Sequence, residues 1–307
     1  MDLKQIKTFI CVAESGSLSR ASDRLHTVQP ALSRQIKLLE HEIGVDLFTR
    51  HVRGMELTEA GQAFFDRMTG LVRQIETSVH DIQSMRGKIK GHVALGIMPT
   101  ISTVLSVRLM RRVKEEFPDI ELRIVEGYSV HLLEWLQRGD IDVTFQYGSS
   151  SDYHLRSEDM LFEDIVLISA PNSLPEISAE VSLEAASKLP LALPSESFGL
   201  RRVLESAGAA NGVSITPSYQ VDSFWVIKSL VESGICHSLM PVSSVLEQVE
   251  AGLIETRQIT PPIQRQIVLL TPNDRVNTRA TDAVIGLLKK EVDEMIACGE
   301  WPAVAIS

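Results

Sequence analysis

Cysteine is scarce in this 307-residue chain, with Cys11, Cys236 and Cys298 its only three. They are too few and too scattered for a disulfide framework, and no two stand at metal-ligand spacing. Free cysteines of this kind fit a reducing compartment. Long apolar runs are also missing, so no segment reads as a bilayer-spanning helix, and the opening Met1-Asp2-Leu3-Lys4-Gln5-Ile6-Lys7 lacks the apolar core of a signal peptide. A cytoplasmic location is the expectation. Catalytic signatures are absent too: there is no G-x-S-x-G elbow, no Walker A loop, no G-x-G-x-x-G and no H-E-x-x-H. His41-Glu42 comes nearest to the last of these, but the second His is missing, and the eight histidines do not cluster. These absences remove the specific enzyme classes, and they imply no metal and no cofactor. The chain is expected not to be an enzyme.

A strong basic balance is lacking as well, since the net charge is −10. Its distribution is uneven. Residues 1–90 carry 13 Lys and Arg against 11 Asp and Glu, whereas the remainder carries 17 against 29. A slightly basic front and a strongly acidic back suggest two tasks, with any phosphate contacts confined to the front. The length also favours two domains and a connector.

At the front, Leu3, Ile6, Phe9, Ile10 and Val12 follow helical spacing. Ser15-Gly16-Ser17 breaks this helix, and Ser17 is a suitable N-cap for a second helix from Leu18 to Leu25. After the short turn His26-Thr27, a third helix runs from about Pro30 to Glu42 with Leu32, Ile36 and Leu39 on one face. Two short helices, a tight turn and a third helix match the helix-turn-helix arrangement, whose second helix enters the major groove of DNA. Gln29, Pro30, Ser33, Arg34 and Lys37 stand at its start and on its outward face, with side-chain types suited to base edges and phosphates. An ordinary solvated helix shows such residues too, so the face alone does not decide.

The series Ala13-Glu14-Ser15-Gly16-Ser17-Leu18, Gln29-Pro30-Ala31-Leu32-Ser33-Arg34-Gln35-Ile36, Leu39-Glu40, Leu47-Phe48-Thr49-Arg50 and Leu57-Thr58-Glu59-Ala60-Gly61 does decide. It resembles the N-terminal module of LysR-type transcriptional regulators, densely over residues 1–65 and loosely to about 295. One departure is Val28, where many members have a Ser that caps the recognition helix; Thr27 or Gln29 is the expected substitute. The resemblance implies a β-hairpin wing from Phe48 to Leu57, turning at Gly54, with Arg50, His51 and Arg53 set for phosphates or the minor groove.

From Thr58 to Met85 the pattern is helical, about 40 Å at 1.5 Å per residue. Phe64, Met68, Leu71, Ile75, Val79, Ile82 and Met85 recur at intervals close to a coiled-coil seam. The family's dimerising linker helix lies here, which implies a homodimer or homotetramer on a dyad-symmetric operator in double-stranded DNA. Arg86-Gly87-Lys88-Ile89-Lys90-Gly91 reads as a hinge. Beyond it, short apolar runs such as Val93–Ile97, Leu122–Val125, Val143–Phe145 and Ile165–Ile168 alternate with helical stretches, an α/β grammar with parallel sheets.

The resemblance organises the whole as a winged helix-turn-helix domain (1–58), a linker helix and hinge (59–90) and a periplasmic-binding-protein-like effector domain (91–307). That domain would divide into subdomain I (about 91–164 and 269–298) and subdomain II (about 165–268), with strands crossing near Asp164 and Val268. Ligands in open α/β sheets dock at the carboxyl ends of strands and at helix starts. Those positions hold Pro99, Thr100 and Ile101, then Ser129, Tyr147, Ser197, Phe198 and Arg201, then Asp222 and Phe224. Hydroxyls and helix N-termini suit an anion and aromatic rings suit a planar one, so a small organic or aromatic acid is the expected effector. The same Ser and Thr serve equally as plain helix caps, and the aromatics as core. Cys236 and His237 replace a family Gly-x-Gly and either line the cleft or fill space. Two other readings stay open: an architectural DNA binder without an effector, and an enzyme or transport-type protein with the same N-terminal module.

Overall fold

The computed structural model describes residues 1–51, 54–84, 88–174 and 179–306, without the side chains of residue 50 or of residues 73, 74, 77, 78 and 80–84. Two compact units emerge, one comprising Met1–Gly87 with Gln137–Asp140 and a second comprising Lys88–Leu136 with Ile141–Ser307.

The first unit begins with α1 (Leu3–Ser15), α2 (Leu18–Arg24) and α3 (Gln29–Ile43). Asp2 opens α1 by a capping box with Gln5, and Gly16 closes it at φ +61°. Ser17 caps α2 as its position in the sequence implies. Phe9, Val12, Ala21, Leu32, Ile36 and Leu39 meet in one core, each no more than 1% exposed. Burial of this kind stabilises by about 2 kcal/mol for each large side chain. Strands β1 (Phe48–His51) and β2 (Gly54–Leu57) then form an antiparallel hairpin. The long α4 (Glu59–Ser84) starts against α1, with the Phe9 ring 5.1 Å from Phe64.

The second unit is α/β. Subdomain I contains β3 (Gly91–Ile97), α5 (Pro99–Glu116), β4 (Ile120–Glu126), α6 (Ser129–Arg138) and β5 (Val143–Tyr147). Next comes β6 (Arg156–Ser169), followed by β7 (Glu180–Ser182), α7 (Leu183–Ser187), β8 (Ala192–Leu193), α8 (Gly199–Ala210) and β9 (Tyr219–Gln220). Then α9 (Phe224–Glu232), β10 (Ser238–Pro241), α10 (Leu246–Glu250), β11 (Glu255–Thr271), α11 (Arg279–Ala297) and β12 (Ala303–Ala305) complete the chain.

The main sheet runs β10-β6-β11-β5-β3-β4, with β12 beside β6 and β7 beside β11. β3 pairs in parallel with β4 and β5, β8 with β9, and β7 with β11, whereas the long β6 and β11 are antiparallel to each other. The alternating pattern missed this because strands that pass between subdomains and return must run in opposite senses. Each is shared by both subdomains: β6 pairs with β10 over Ile165–Ile168, and β11 with β5 over Ile267–Leu270. Asp164 faces Gln264, whereas Val268 already pairs with Gln146 of β5. Between Gln258 and Ile263 the β6–β11 ladder breaks register. The tail beyond Cys298 also joins subdomain I, through β12 and the fully buried Trp301.

Candidate functional site

Two surfaces stand out, one in each unit. On α3, Leu32, Ile36 and Leu39 point into the core, which turns Gln29, Pro30, Arg34 and Lys37 outward with Ser33 half-buried beside them. Val28 occupies the N-cap without a side-chain hydrogen bond. Neither expected substitute caps the helix: Thr27 Oγ1 donates to the Leu25 carbonyl 3.0 Å away, and Gln29 is already the first helical residue. The helix start thus stays uncapped by side chains and turned to solvent, a favourable place for an anion.

The wing hairpin pairs Phe48 with Leu57 and His51 with Gly54. Gly54 sits at φ +144° with the Gly16 carbonyl so near that a Cβ would lie 2.3 Å from it. Met55 N–H donates to that carbonyl at 3.0 Å, which docks the hairpin on the α1–α2 turn. His51 is exposed. Arg53 and the side chain of Arg50, both expected on the wing, lie outside the described residues. On α4, Leu71, Ile75 and Val79 form a stripe at four-residue spacing, each 47–48% exposed. Met68 is half-buried, and the seam positions Ile82 and Met85 lie outside the described side chains.

In the second unit, β6 and β11 carry Glu163 and Arg265 between the subdomains. Arg265 Nε and Nη2 donate to Glu163 Oε2 at 2.8 and 2.5 Å, and both side chains are wholly buried. Arg265 Nη1 donates to Thr100 Oγ1 at 2.7 Å and to Tyr147 Oη at 3.3 Å. Glu163 Oε1 accepts the Ser243 N–H at 3.1 Å, from the 3₁₀ turn Val242–Val245 after β10. One ion pair therefore links the start of α5 in subdomain I to a turn of subdomain II. Burial opposes the Arg265 charge, but the facing carboxylate prevails and holds its pKa above the ordinary value.

Helix starts lie around this pair. Neither α5 nor α8 has a side-chain cap. Ser129 opens α6, 4% exposed, and its Oγ has no hydrogen-bond partner although its carbonyl accepts from Gln146 Nε2 at 2.7 Å. Gly199 opens α8 so tightly that a Cβ there would lie 2.3 Å from the Tyr147 ring and 2.8 Å from Ser129 Oγ. Tyr128 closes the rim: its ring lies 4.1 Å from Phe198 and 6.2 Å from Phe224, and its hydroxyl donates to the Asp222 carbonyl. Burial and the nearby Asp222 raise the Tyr128 pKa, so this hydroxyl stays protonated.

The expected effector residues separate into three groups. Thr100 and Tyr147 share Arg265, Ser129 and Tyr147 lie beside Gly199, Phe198 and Phe224 flank the Tyr128 ring, and Pro99 is half-buried at the start of α5. Asp222 is structural at the rim, its carboxylate accepting from Ser195 N–H and Oγ at 2.8 and 2.7 Å, while Ser197 is exposed. Ile101 and Arg201 need correction. Ile101 is fully buried in the subdomain I core, because it falls on the inner face of α5 with Leu105 and Leu109. Arg201 stands two positions beyond Gly199, roughly 200° around α8, which takes it away from the cleft. Its guanidinium instead bonds Glu205 and the Ile215 carbonyl at 2.7 and 3.2 Å and lines a separate groove of about 700 Å³ with Pro194 and Thr216.

Cys236 packs in a subdomain II core and is 1% exposed. His237 is 8% exposed with Nδ1 unpartnered, and burial followed by Arg257 lowers its pKa. Arg265, Glu163 and Tyr128 were missed from sequence. Arg265 stands in the alternating run Ile263-Gln264-Arg265-Gln266-Ile267, which reads as a strand with a solvated polar face. No local signal pairs it with a carboxylate about a hundred residues away.

Among the described residues, no cluster of His, Cys, Asp and Glu could hold a metal ion, and no helix is long and apolar enough to cross a membrane. Residues 3–62 match the family model for bacterial regulatory helix-turn-helix proteins of the lysR family, and residues 86–293 match that of the LysR substrate binding domain. The HTH-type transcriptional regulator BbuR of Bordetella bronchiseptica is 26% identical over 305 residues, covering 98% of this chain and 93% of that protein. Full-length OxyR of Pseudomonas aeruginosa superimposes with a TM-score of 0.72 at 21% identity, covering 95% of this chain and 94% of that one. Full-length CbnR, solved in complex with its target DNA, gives 0.71 at 21% identity, covering 96% and 99%.

Proposed function

The chain belongs to the LysR family of DNA-binding transcription regulators, and on that premise we propose how its own residues divide the work. Gln29, Ser33 and Arg34 read base edges in the major groove, Arg50 and Arg53 serve the phosphate backbone, and Pro30 and Lys37 belong to the same DNA-facing surface. The stripe Leu71, Ile75 and Val79 covers its counterpart on a second copy, so that two recognition helices address a dyad-symmetric operator. The same seam is compatible with a dimer or with a tetramer built from two such pairs.

The effector is a small organic acid, planar or aromatic, held between the two subdomains. The observation that carries this reading is the unpartnered, buried Ser129 Oγ where the starts of α6 and α8 meet. Thr100 and Tyr147 support it. Each hydroxyl oxygen accepts from Arg265, which leaves its proton free to donate to a ligand. The central cation is already neutralised by Glu163, so the acid is recognised by hydroxyl donors and helix dipoles rather than by a free guanidinium. A bound acid favours one setting of the subdomains, and the regulatory signal is that preference.

A thermal-shift screen of small organic acids on the full chain tests the effector half. A ligand at a hundredfold its Kd stabilises by about 2.7 kcal/mol. A screen in which aliphatic and aromatic acids alike leave the transition unmoved contradicts an acid effector.

A further inference from the structure

Among the described residues, Glu40 ties the recognition helix to the foot of the wing by hydrogen bonds. Glu40 lies near the C-terminal end of α3, half-buried, and its Oε1 accepts two backbone N–H groups, from Leu47 at 2.9 Å and from Phe48 at 3.1 Å. Leu47 is 1% exposed and Phe48 7%, so these amides sit at the buried foot of β1, where an unpaired N–H is costly. The rest of that foot is tied to its own neighbours. Thr58 N–H donates to the Leu47 carbonyl at 3.0 Å, Thr58 Oγ1 donates to the Asp46 carbonyl at 2.8 Å, and Gly61 N–H donates to Thr58 Oγ1 at 2.9 Å. Those bonds fasten β1 to β2 and to the start of α4. Glu40 fastens β1 to α3.

We infer that Glu40 is a positioning residue of the DNA interface: its carboxylate oxygen fixes the wing relative to the recognition helix, so that both meet the duplex in one pose. The inference rests on the reading of α3 and the wing as that interface. The requirement is for an acceptor at the right reach and not for negative charge, because both partners are neutral backbone N–H groups that an amide oxygen satisfies equally. Glutamine supplies the same oxygen at the same reach without the charge. Aspartate keeps the charge but withdraws it by about 1.5 Å, one carbon–carbon bond, which breaks both contacts.

The experiment compares wild type, Glu40→Gln and Glu40→Asp as full chains binding a duplex of arbitrary sequence over a range of salt. The logarithmic salt slope counts phosphate contacts, close to 0.9 per contact. Glu40→Gln should reproduce the wild-type affinity and slope. Glu40→Asp should bind about tenfold more weakly at low salt, with a slope shallower by about one to two contacts. Amide exchange at Leu47 and Phe48 should accelerate in Glu40→Asp and not in Glu40→Gln. Glu40→Asn, neutral and equally short, provides a second short variant should the aspartate variant not fold, and it should behave as that variant is expected to. A normal Glu40→Asp, or a defective Glu40→Gln, overturns the inference. Arg50→Ala separates the two levels. If it leaves the slope unchanged, the wing is no phosphate contact and the interface reading fails there, while amide exchange still decides whether Glu40 holds the wing.

Discussion

Arg265 and Glu163 reach each other from neighbouring strands with no solvent access to either side chain, and their partners come from both subdomains. Such a pair repays the desolvation of its charges only while both members are present. Arg265→Ala leaves a buried carboxylate uncompensated and should cost about 3–5 kcal/mol in urea-induced unfolding. Joint replacement, Arg265→Met with Glu163→Leu, should recover most of that loss because well-packed apolar groups of similar volume are tolerated. A single mutant that unfolds at the wild-type midpoint contradicts the pairing.

His237 makes stability depend on pH. Its pKa is lowered in the folded chain, first by burial and then by Arg257, so the unfolded chain takes up a proton that the folded chain refuses. The contribution is present above the unfolded pKa of about 6.5 and is lost as pH falls toward the lowered folded value. Thermal midpoints should therefore drop on acidification below about pH 6.5, and less so in His237→Phe. Equal drops in both proteins would assign the pH dependence to other groups.

What the sequence disclosed follows from where the physics is local. The Ser17 cap, the Leu32–Ile36–Leu39 face and the long helical pattern after Thr58 are set by spacing within one element, so α1 to α4 were legible. The starts of α5 and α8 were legible for the same reason. Arg201 was grouped with Ser197 and Phe198 by nearness in sequence, whereas its bonds to Glu205 and the Ile215 carbonyl are set by the fold. The antiparallel β6–β11 pairing, with partners about a hundred residues apart, is a tertiary property, and the Arg265–Glu163 pair depends on it. Tyr128 precedes its helix and carries no motif, so only the fold shows that it closes the rim.

The exposed stripe on α4 predicts assembly. Leu71→Asp with Ile75→Asp would set unpaired charges into the seam, which is strongly unfavourable when desolvated. Sedimentation should shift toward the monomer and DNA binding should weaken in parallel. Should the double mutant sediment like wild type and bind as tightly, the stripe packs on something other than a second copy.

Ser129→Ala is the cleanest probe of the cleft. The Ser129 hydroxyl makes no internal hydrogen bond, so its removal costs the fold little, unlike that of Thr100, which holds Arg265. Calorimetry of the full chain with an acid identified by thermal shift should show affinity reduced by about 0.5–1.5 kcal/mol at an unchanged melting temperature of the free protein. Unaltered affinity places the ligand elsewhere.

The central claim, that α3 reads DNA sequence for a symmetric assembly, is tested most directly by selection from a library of random duplexes. The wild-type chain should enrich an inverted repeat whose half-sites lie on one face of the helix, one turn or a multiple apart. In the same selection, Arg34→Ala should retain the symmetry but lose preference at one position in each half-site, equivalent to about 1–3 kcal/mol per base contact. A library that emerges without an enriched motif, or an Arg34→Ala motif identical to that of wild type, would contradict the account.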